Sequence, residues 1–255
     1  MILVCRNADK ARAAVLDLER EGVNDVELVV GDVSSQAEIR RIAADVKAKH
    51  DRLDVLLNNA GVLVTSRRTT VDGIEETFAV NHLGYFLLTS LLLDLLVKSA
   101  PARIVNVSSE AHRGARVHWD DLQFERGYSQ FGAYGQSKLC NILFTRELAR
   151  RLDGKGVTVN ALHPGVVASG FGQTDGGLMS LFIRLAHPFM IGPEKGARTQ
   201  VWLASSPDVE GITGKYFDKC AEREPSRAAR DDAGAKKLWA ISEELTHLSE
   251  SSVAA

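Results

Sequence analysis

Tyr134 and Lys138 stand four residues apart in Tyr134-Gly135-Gln136-Ser137-Lys138, a spacing that a helix turns into neighbours on one face. A phenol held beside an ammonium loses its proton more easily, and a tyrosine titrating nearer neutrality serves as general acid or base. That chemistry suits a carbonyl or an alcohol. The same pair also decorates ordinary solvated helices, so its meaning depends on what else the chain supplies. Upstream, Arg103-Ile104-Val105-Asn106-Val107-Ser108-Ser109 reads as a buried strand ending in two hydroxyls, either of which suits a hydrogen bond to an oxygen as charge develops on it. Leu53-Asp54-Val55-Leu56-Leu57-Asn58-Asn59-Ala60-Gly61 is a second buried strand, closed by amides and a glycine.

The elements that must position these groups alternate between short apolar runs and amphipathic helices, the signature of a parallel sheet covered on both faces. Strands are expected at residues 2–5, 26–30, 53–57, 104–107 and 157–162, with a brief last one at Tyr216-Phe217. Asn7 can cap a helix whose Ala11, Val15 and Leu18 form one apolar stripe, and Ser35-Gln36-Ala37-Glu38 is a capping box ahead of Ile39, Ile42, Ala43 and Val46. Further helices are expected over about 73–97 and 131–152. Another opens at Pro193 and carries Ala197, Val201 and Ala204, and a closing one is lined by Leu238, Ile241, Leu245 and Leu248. The expectation is an α/β fold with a doubly wound, Rossmann-like parallel sheet, a single domain over 1–255 in which 220–255 is a C-terminal extension.

Taken together, Asn-Asn-Ala-Gly after a strand, Asn81 in the next helix, Ser-Ser after the following strand, Tyr-x-x-x-Lys on the helix after that, and His163-Pro164-Gly165-Val166-Val167 resemble the short-chain dehydrogenase/reductase family. Ala100-Pro101-Ala102-Arg103, Ser108-Ser109-Glu110-Ala111-His112 and Phe144-Thr145-Arg146-Glu147-Leu148 are similar to its retinol-dehydrogenase-like branch. The resemblance implies an oxidoreductase in which Tyr134 moves the proton, Lys138 lowers the Tyr134 pKa and binds the nicotinamide ribose, Ser109 rather than Ser108 meets the substrate oxygen, and Asn81 holds a water behind Lys138. It further implies that Asp32 and Val33 meet the adenine, that Asn58, Ala60 and Gly61 line the ribose and phosphate side, and that Pro164, Gly165 and Val167 face the nicotinamide amide. Ser169 keeps a hydroxyl where the family more often has Thr. Family habit suggests a homo-oligomer built through the helices around Tyr134 and Phe86.

Dinucleotide folds choose between their two cofactors just after the second strand of the unit, where a carboxylate favours the free ribose hydroxyl and an arginine the extra phosphate. Cys5-Arg6-Asn7 offers one guanidinium there. NADP is therefore expected, with NAD as the alternative. The glycine-rich Thr-Gly-x-x-x-Gly-x-Gly turn of the family should precede residues 2–5, and nothing precedes them. On this reading the domain is N-terminally incomplete, and its first strand belongs between residues 2–5 and 53–57. Gly170-Phe171-Gly172-Gln173-Thr174-Asp175-Gly176 lacks the strand-to-helix setting of a phosphate loop and reads as a loop.

A formal net charge of −2 gives no electrostatic footprint for nucleic acid, and the seven histidines show no metal-ligand spacing. Cys5, Cys140 and Cys220, odd in number and far apart, argue for a reducing compartment and against a disulfide framework. The longest apolar run, residues 86–97, is interrupted by Asp94 and is expected to be a buried helix in a cytoplasmic protein. Leu178-Met179-Ser180-Leu181-Phe182-Ile183 and Pro188-Phe189-Met190-Ile191 would suit the cover of a small apolar carbonyl or alcohol substrate, and equally core packing, a dimer contact or membrane-surface association. His112 and His118, between Ser109 and Tyr134, are candidates for the substrate mouth. The competing readings are a non-catalytic binding or interaction protein and, more distantly, a sugar-nucleotide epimerase, which shares the Tyr-Lys pair.

Overall fold

A computed structural model of the chain describes residues 1–165 and 192–248. Its elements follow the alternation in the sequence: β1 Ile2–Cys5, α1 Ala8–Arg20, β2 Glu27–Val30, α2 Gln36–Lys49, β3 Val55–Asn58, α3 Glu76–Lys98, β4 Ala102–Val107, α4 Gln130–Arg151, β5 Val157–His163, α5 Pro193–Ser205, β6 Tyr216–Asp218, β7 Ala221–Arg223 and α6 Asp232–Leu245. Strands β3 to β6 run parallel in chain order and β7 closes the sheet antiparallel, while among the described residues β1 pairs only with β2. The strands therefore fall into two ladders, and β3 is an edge of the larger one.

The period-two alternation of β4 sorts the core into two layers. Ile104, with Leu56 and Val159, packs under Phe86, Leu96 and Phe144 of α3 and α4. Val105 and Leu162 face the other way, onto Leu203 of α5 and Phe217. The inner face of α5 is formed by Gly196, Thr199 and Leu203, whereas Val201 is 59% exposed. Three residues of sequence cannot fix which face of a short helix turns inward when Ala, Val and Trp are spread around it.

Asn7 caps α1 by accepting from the Lys10 N–H, and Ser35 caps α2 at Glu38. Helix α3 starts where the buried Glu75 carboxylate accepts from the Thr77 and Phe78 N–H groups at 2.8 and 2.7 Å. It runs for 23 residues and is long and apolar enough to cross a membrane by length and composition. Its apolar stretch is 83% buried against the rest of the protein, so here it is a core helix. A π-helical turn at Ala79–Leu83 interrupts it; such insertions re-aim side chains and frequently occur at functional sites.

Helix α6 packs on the face around Phe86. Trp239 meets the Phe86 ring at 5.0 Å and the Phe144 ring at 5.9 Å, with the Arg151 guanidinium 4.1 Å from its ring centre. Ser242 bonds His82 Nε2 at 3.0 Å. The sequence stripe included Leu238 and passed over Trp239, although both are buried.

Candidate active site

Burial and register bring Tyr134, Lys138 and Ser109 to one cavity of about 520 Å³ at the C-terminal ends of β3, β4 and β5. The Asn59-Ala60-Gly61 and His163-Pro164-Gly165 turns form parts of its wall, and Gly196 and Gln200 of α5 line the far side. Ligands of open α/β sheets bind at this end of the strands. At Gly165 the chain turns with φ +87°, a left-handed conformation that glycine takes without strain.

Glycine also eases the approach of α4 to the 3-10 turn that follows Ser109: a Cβ on Gly135 would sit 3.0 Å from the Ala111 carbonyl, a contact tight enough to push the two apart by a few tenths of an ångström. Tyr134 rides on that contact, with Ser109 as its hydrogen-bond partner. The Ser109 hydroxyl oxygen accepts from the Ala111 N–H at 3.2 Å, which leaves its own proton to be donated. Ser108, the rival, is buried and donates to the Lys138 carbonyl at 2.7 Å, which commits its hydroxyl to tying β4 to α4.

Lys138 is 2% exposed, and its ammonium donates to the Val107 carbonyl at 3.1 Å while lying 5.7 Å from the Tyr134 ring centre and 5.6 Å from that of Tyr85. Burial pushes its pKa down to about 7. Burial thus weakens the hold of Lys138 on the fixed positive charge expected of it. Tyr134 is correspondingly not lowered: burial raises its pKa above the ordinary phenol value, and the Ser109 hydrogen bond offsets part of that rise. The desolvation of two adjacent groups outweighs the attraction that the spacing alone suggested.

The Lys138 shift carries a stability signature. Between a folded pKa of about 7 and an unfolded value of 10.5, the unfolded chain holds a proton that the folded chain does not, so stability rises with pH across that window. Buried Cys140, whose thiol pKa is raised by desolvation, acts in the opposite sense above the ordinary thiol value of 9.0. The thermal midpoint of the free protein is expected to climb from about pH 7 to about pH 9. Lys138→Met should flatten that climb, and an unchanged slope would show that the lysine is not buried as described.

Asn81 sits in the π-helical turn and spends its amide on the backbone. Its Oδ1 accepts from the Val62 N–H at 2.7 Å, and its Nδ2 donates to the Val62 carbonyl at 2.9 Å and to Ser137 Oγ at 3.0 Å. It therefore pins the chain just beyond Gly61 to α4 behind Lys138. Asn58, expected against the nucleotide, turns the other way. It is 4% exposed and donates to Thr89 Oγ1 and Asn106 Oδ1 inside the core, while its neighbour Asn59 lines the cavity. Strand alternation puts adjacent residues on opposite faces, so only one of two consecutive asparagines can face the site.

Arg6 and Asp32 meet at 3.8 Å beyond β1 and β2, the arginine largely solvated and the carboxylate half-buried, and Val33 packs against the core. None of the three lines the cavity beside Tyr134. Val167 and Ser169, the 170–176 loop and the apolar segments within 178–191 lie outside the described residues. His112 is fully buried, so it does not line a substrate mouth. Two supports escaped the sequence reading. Tyr85 donates to the Ala60 carbonyl at 2.7 Å, and Asn141 donates to the Val107 carbonyl at 3.2 Å. Both lie on helical faces that read as core, where a single polar atom leaves no trace in the apolar pattern.

The short chain dehydrogenase family profile matches residues 1–176. Human retinol dehydrogenase 14 is 44% identical over 265 aligned residues, which cover 97% of this chain and 79% of the relative. Among solved structures, an uncharacterized protein from Mycobacterium paratuberculosis superposes with a TM-score of 0.74 at 34% identity, covering 96% of this chain and 83% of that one. The RhlG/NADP active-site complex of Pseudomonas aeruginosa follows with a TM-score of 0.64 at 26% identity, covering 85% of this chain and 83% of that one.

Proposed function

The chain belongs to the short-chain dehydrogenase/reductase family, and on that premise we propose that it is an NADP-dependent oxidoreductase interconverting an apolar carbonyl and its alcohol. The carbonyl is an aldehyde, a ketone or a retinoid-like compound. The observation that carries this reading is the meeting of Tyr134, Ser109 and Lys138 in one cavity between two strand-end turns. Similarity to retinol dehydrogenases supports the apolar substrate, and the NADP complex of a structural relative together with Arg6 supports the nucleotide.

The residues present fit a nicotinamide nucleotide. Lys138 would bind its ribose hydroxyls, the Asn59-Ala60-Gly61 and Pro164-Gly165 turns would present backbone to it, and Arg6 would pair with the extra phosphate in exchange for its weak, solvated contact with Asp32. Bound there, the nicotinamide supplies or accepts the hydride. In reduction, Ser109 donates to the substrate oxygen while Tyr134 gives its proton to that oxygen. The raised pKa keeps the phenol protonated at neutral pH, which suits it as the acid of that step.

The test follows consumption of NADPH with decanal and with dihydroxyacetone. A higher kcat/KM is expected for decanal, and a preference for the polar ketone would reject the apolar substrate. Arg6→Ala should weaken NADPH binding about tenfold or more, the loss of a charge-assisted hydrogen bond, and leave NADH nearly unchanged. Equal losses would remove Arg6 from nucleotide choice. Nucleotide binding with no turnover of any carbonyl would return the chain to the binding-protein reading.

A further inference from the structure

The five-residue 3-10 turn Glu110–Gly114 carries Ser109 at its N-cap, and its His112 is 0% exposed. The ring is satisfied at both nitrogens. Nδ1 lies 2.6 Å from the Ser109 carbonyl, and Nε2 lies 3.2 Å from the Ser226 backbone nitrogen. A backbone N–H can only donate, so Nε2 is the acceptor and Nδ1 carries the proton that goes to Ser109. The Ser109 carbonyl also receives the His112 N–H at 3.1 Å, and the ring stands edge-on to Tyr216 at 4.9 Å. Tyr216 in turn donates to Glu110 at 2.9 Å.

We propose that His112 is a positioning residue for proton transfer: fixed as the Nδ1–H tautomer by Ser226, it holds the Ser109 carbonyl so that the Ser109 hydroxyl stays against Tyr134. The imidazole joins two distant parts of the chain, the segment after β7 and the strand end that bears the reacting serine. It touches no reacting atom. Its effect passes through Ser109, and this distinguishes it from a ring that merely fills the core. The inference rests on the oxidoreductase reading for its catalytic consequence and on geometry alone for the placement of Ser109.

The experiment combines turnover of decanal and NADPH with the ζ-carbon NMR resonance of Tyr134 in protein labelled at tyrosine, recorded at neutral pH. The variants are Ser109→Ala, His112→Phe, the two together, and His112→Asn, whose amide N–H can replace Nδ1–H. Ser109→Ala is expected to shift the Tyr134 resonance, and His112→Phe to reproduce that shift and lower kcat about tenfold. Added to Ser109→Ala, His112→Phe should cost little more, because the two act as one unit. His112→Asn should restore most of the rate and the wild-type resonance. An equal loss with and without Ser109, or a Tyr134 resonance unmoved by His112→Phe, overturns the proposal. Should His112→Phe fail to fold, a folded His112→Asn that behaves like Ser109→Ala overturns it as well. Should the wild-type chain reduce no carbonyl, the functional reading fails, and the Tyr134 resonance still decides whether His112 sets Ser109.

Discussion

Tyr134→Phe is expected to lower kcat for carbonyl reduction by about 10²–10⁴-fold, the usual contribution of a positioned general acid, while the nucleotide dissociation constant stays nearly unchanged. The ring and the hydroxyl have separable roles. The ring packs beside Lys138, which Phe preserves, whereas the hydroxyl is the group that Ser109 meets and the substrate oxygen would take a proton from. With Tyr134 protonated in the free protein, its loss removes the proton donor and a hydrogen bond of Ser109 together. Single-turnover reduction in the presence of saturating NADPH measures the chemical step. A variant that keeps half the wild-type rate would remove Tyr134 from proton transfer, and one that loses nucleotide affinity in proportion to rate would make the residue part of the nucleotide seat.

The second large effect concerns stability. Trp239→Ala should destabilise the fold by about 3–5 kcal/mol, the range for deleting a large buried aromatic, against a total of ~5–15 kcal/mol for a domain. Trp239 is 2% exposed and lies among Phe86, Phe144 and the Arg151 guanidinium, so its removal empties the seat of α6. The contacts of Gln36 and Arg40 with the carbonyls of Leu245 and Thr246 depend on that seat. Equilibrium unfolding in urea measures the change. A loss below about 1 kcal/mol, the scale of an ordinary surface substitution, would show that α6 does not depend on this side chain for docking.

The gathering of Tyr134, Lys138 and Ser109 at one cavity was legible because the helical spacing of the pair, the strand ending in two hydroxyls and the family resemblance all pointed to the same strand ends. The supports were harder to read. Asn58 and Asn59 have the same side chain and occupy adjacent positions at a strand end, and only the register of Asn58 opposite Asn106 decides which one faces the core. His112 looked like a loop residue because its partners, Ser109 and Ser226, are a carbonyl nearby and an N–H over a hundred residues away. The doubly wound sheet was expected from alternating elements. Strand β7, three residues long and antiparallel, has too little length for a pattern. Lys138 shows the limit of arguing from spacing, since proximity predicts attraction while burial, which spacing does not report, sets the sign of both pKa shifts.

The partners of the site's polar side chains are largely main-chain atoms. Lys138 and Asn141 share the carbonyl of Val107, Asn81 takes the N–H and the carbonyl of Val62, Tyr85 reaches the carbonyl of Ala60, and Ser108 reaches the carbonyl of Lys138. Every amino acid supplies a carbonyl, and all but proline supply the N–H. Positions 62 and 107 can therefore drift among apolar residues that fit their space without withdrawing a single hydrogen bond from the site. Lineages of this architecture can exchange most of their apolar sequence while a few polar letters stay at fixed intervals.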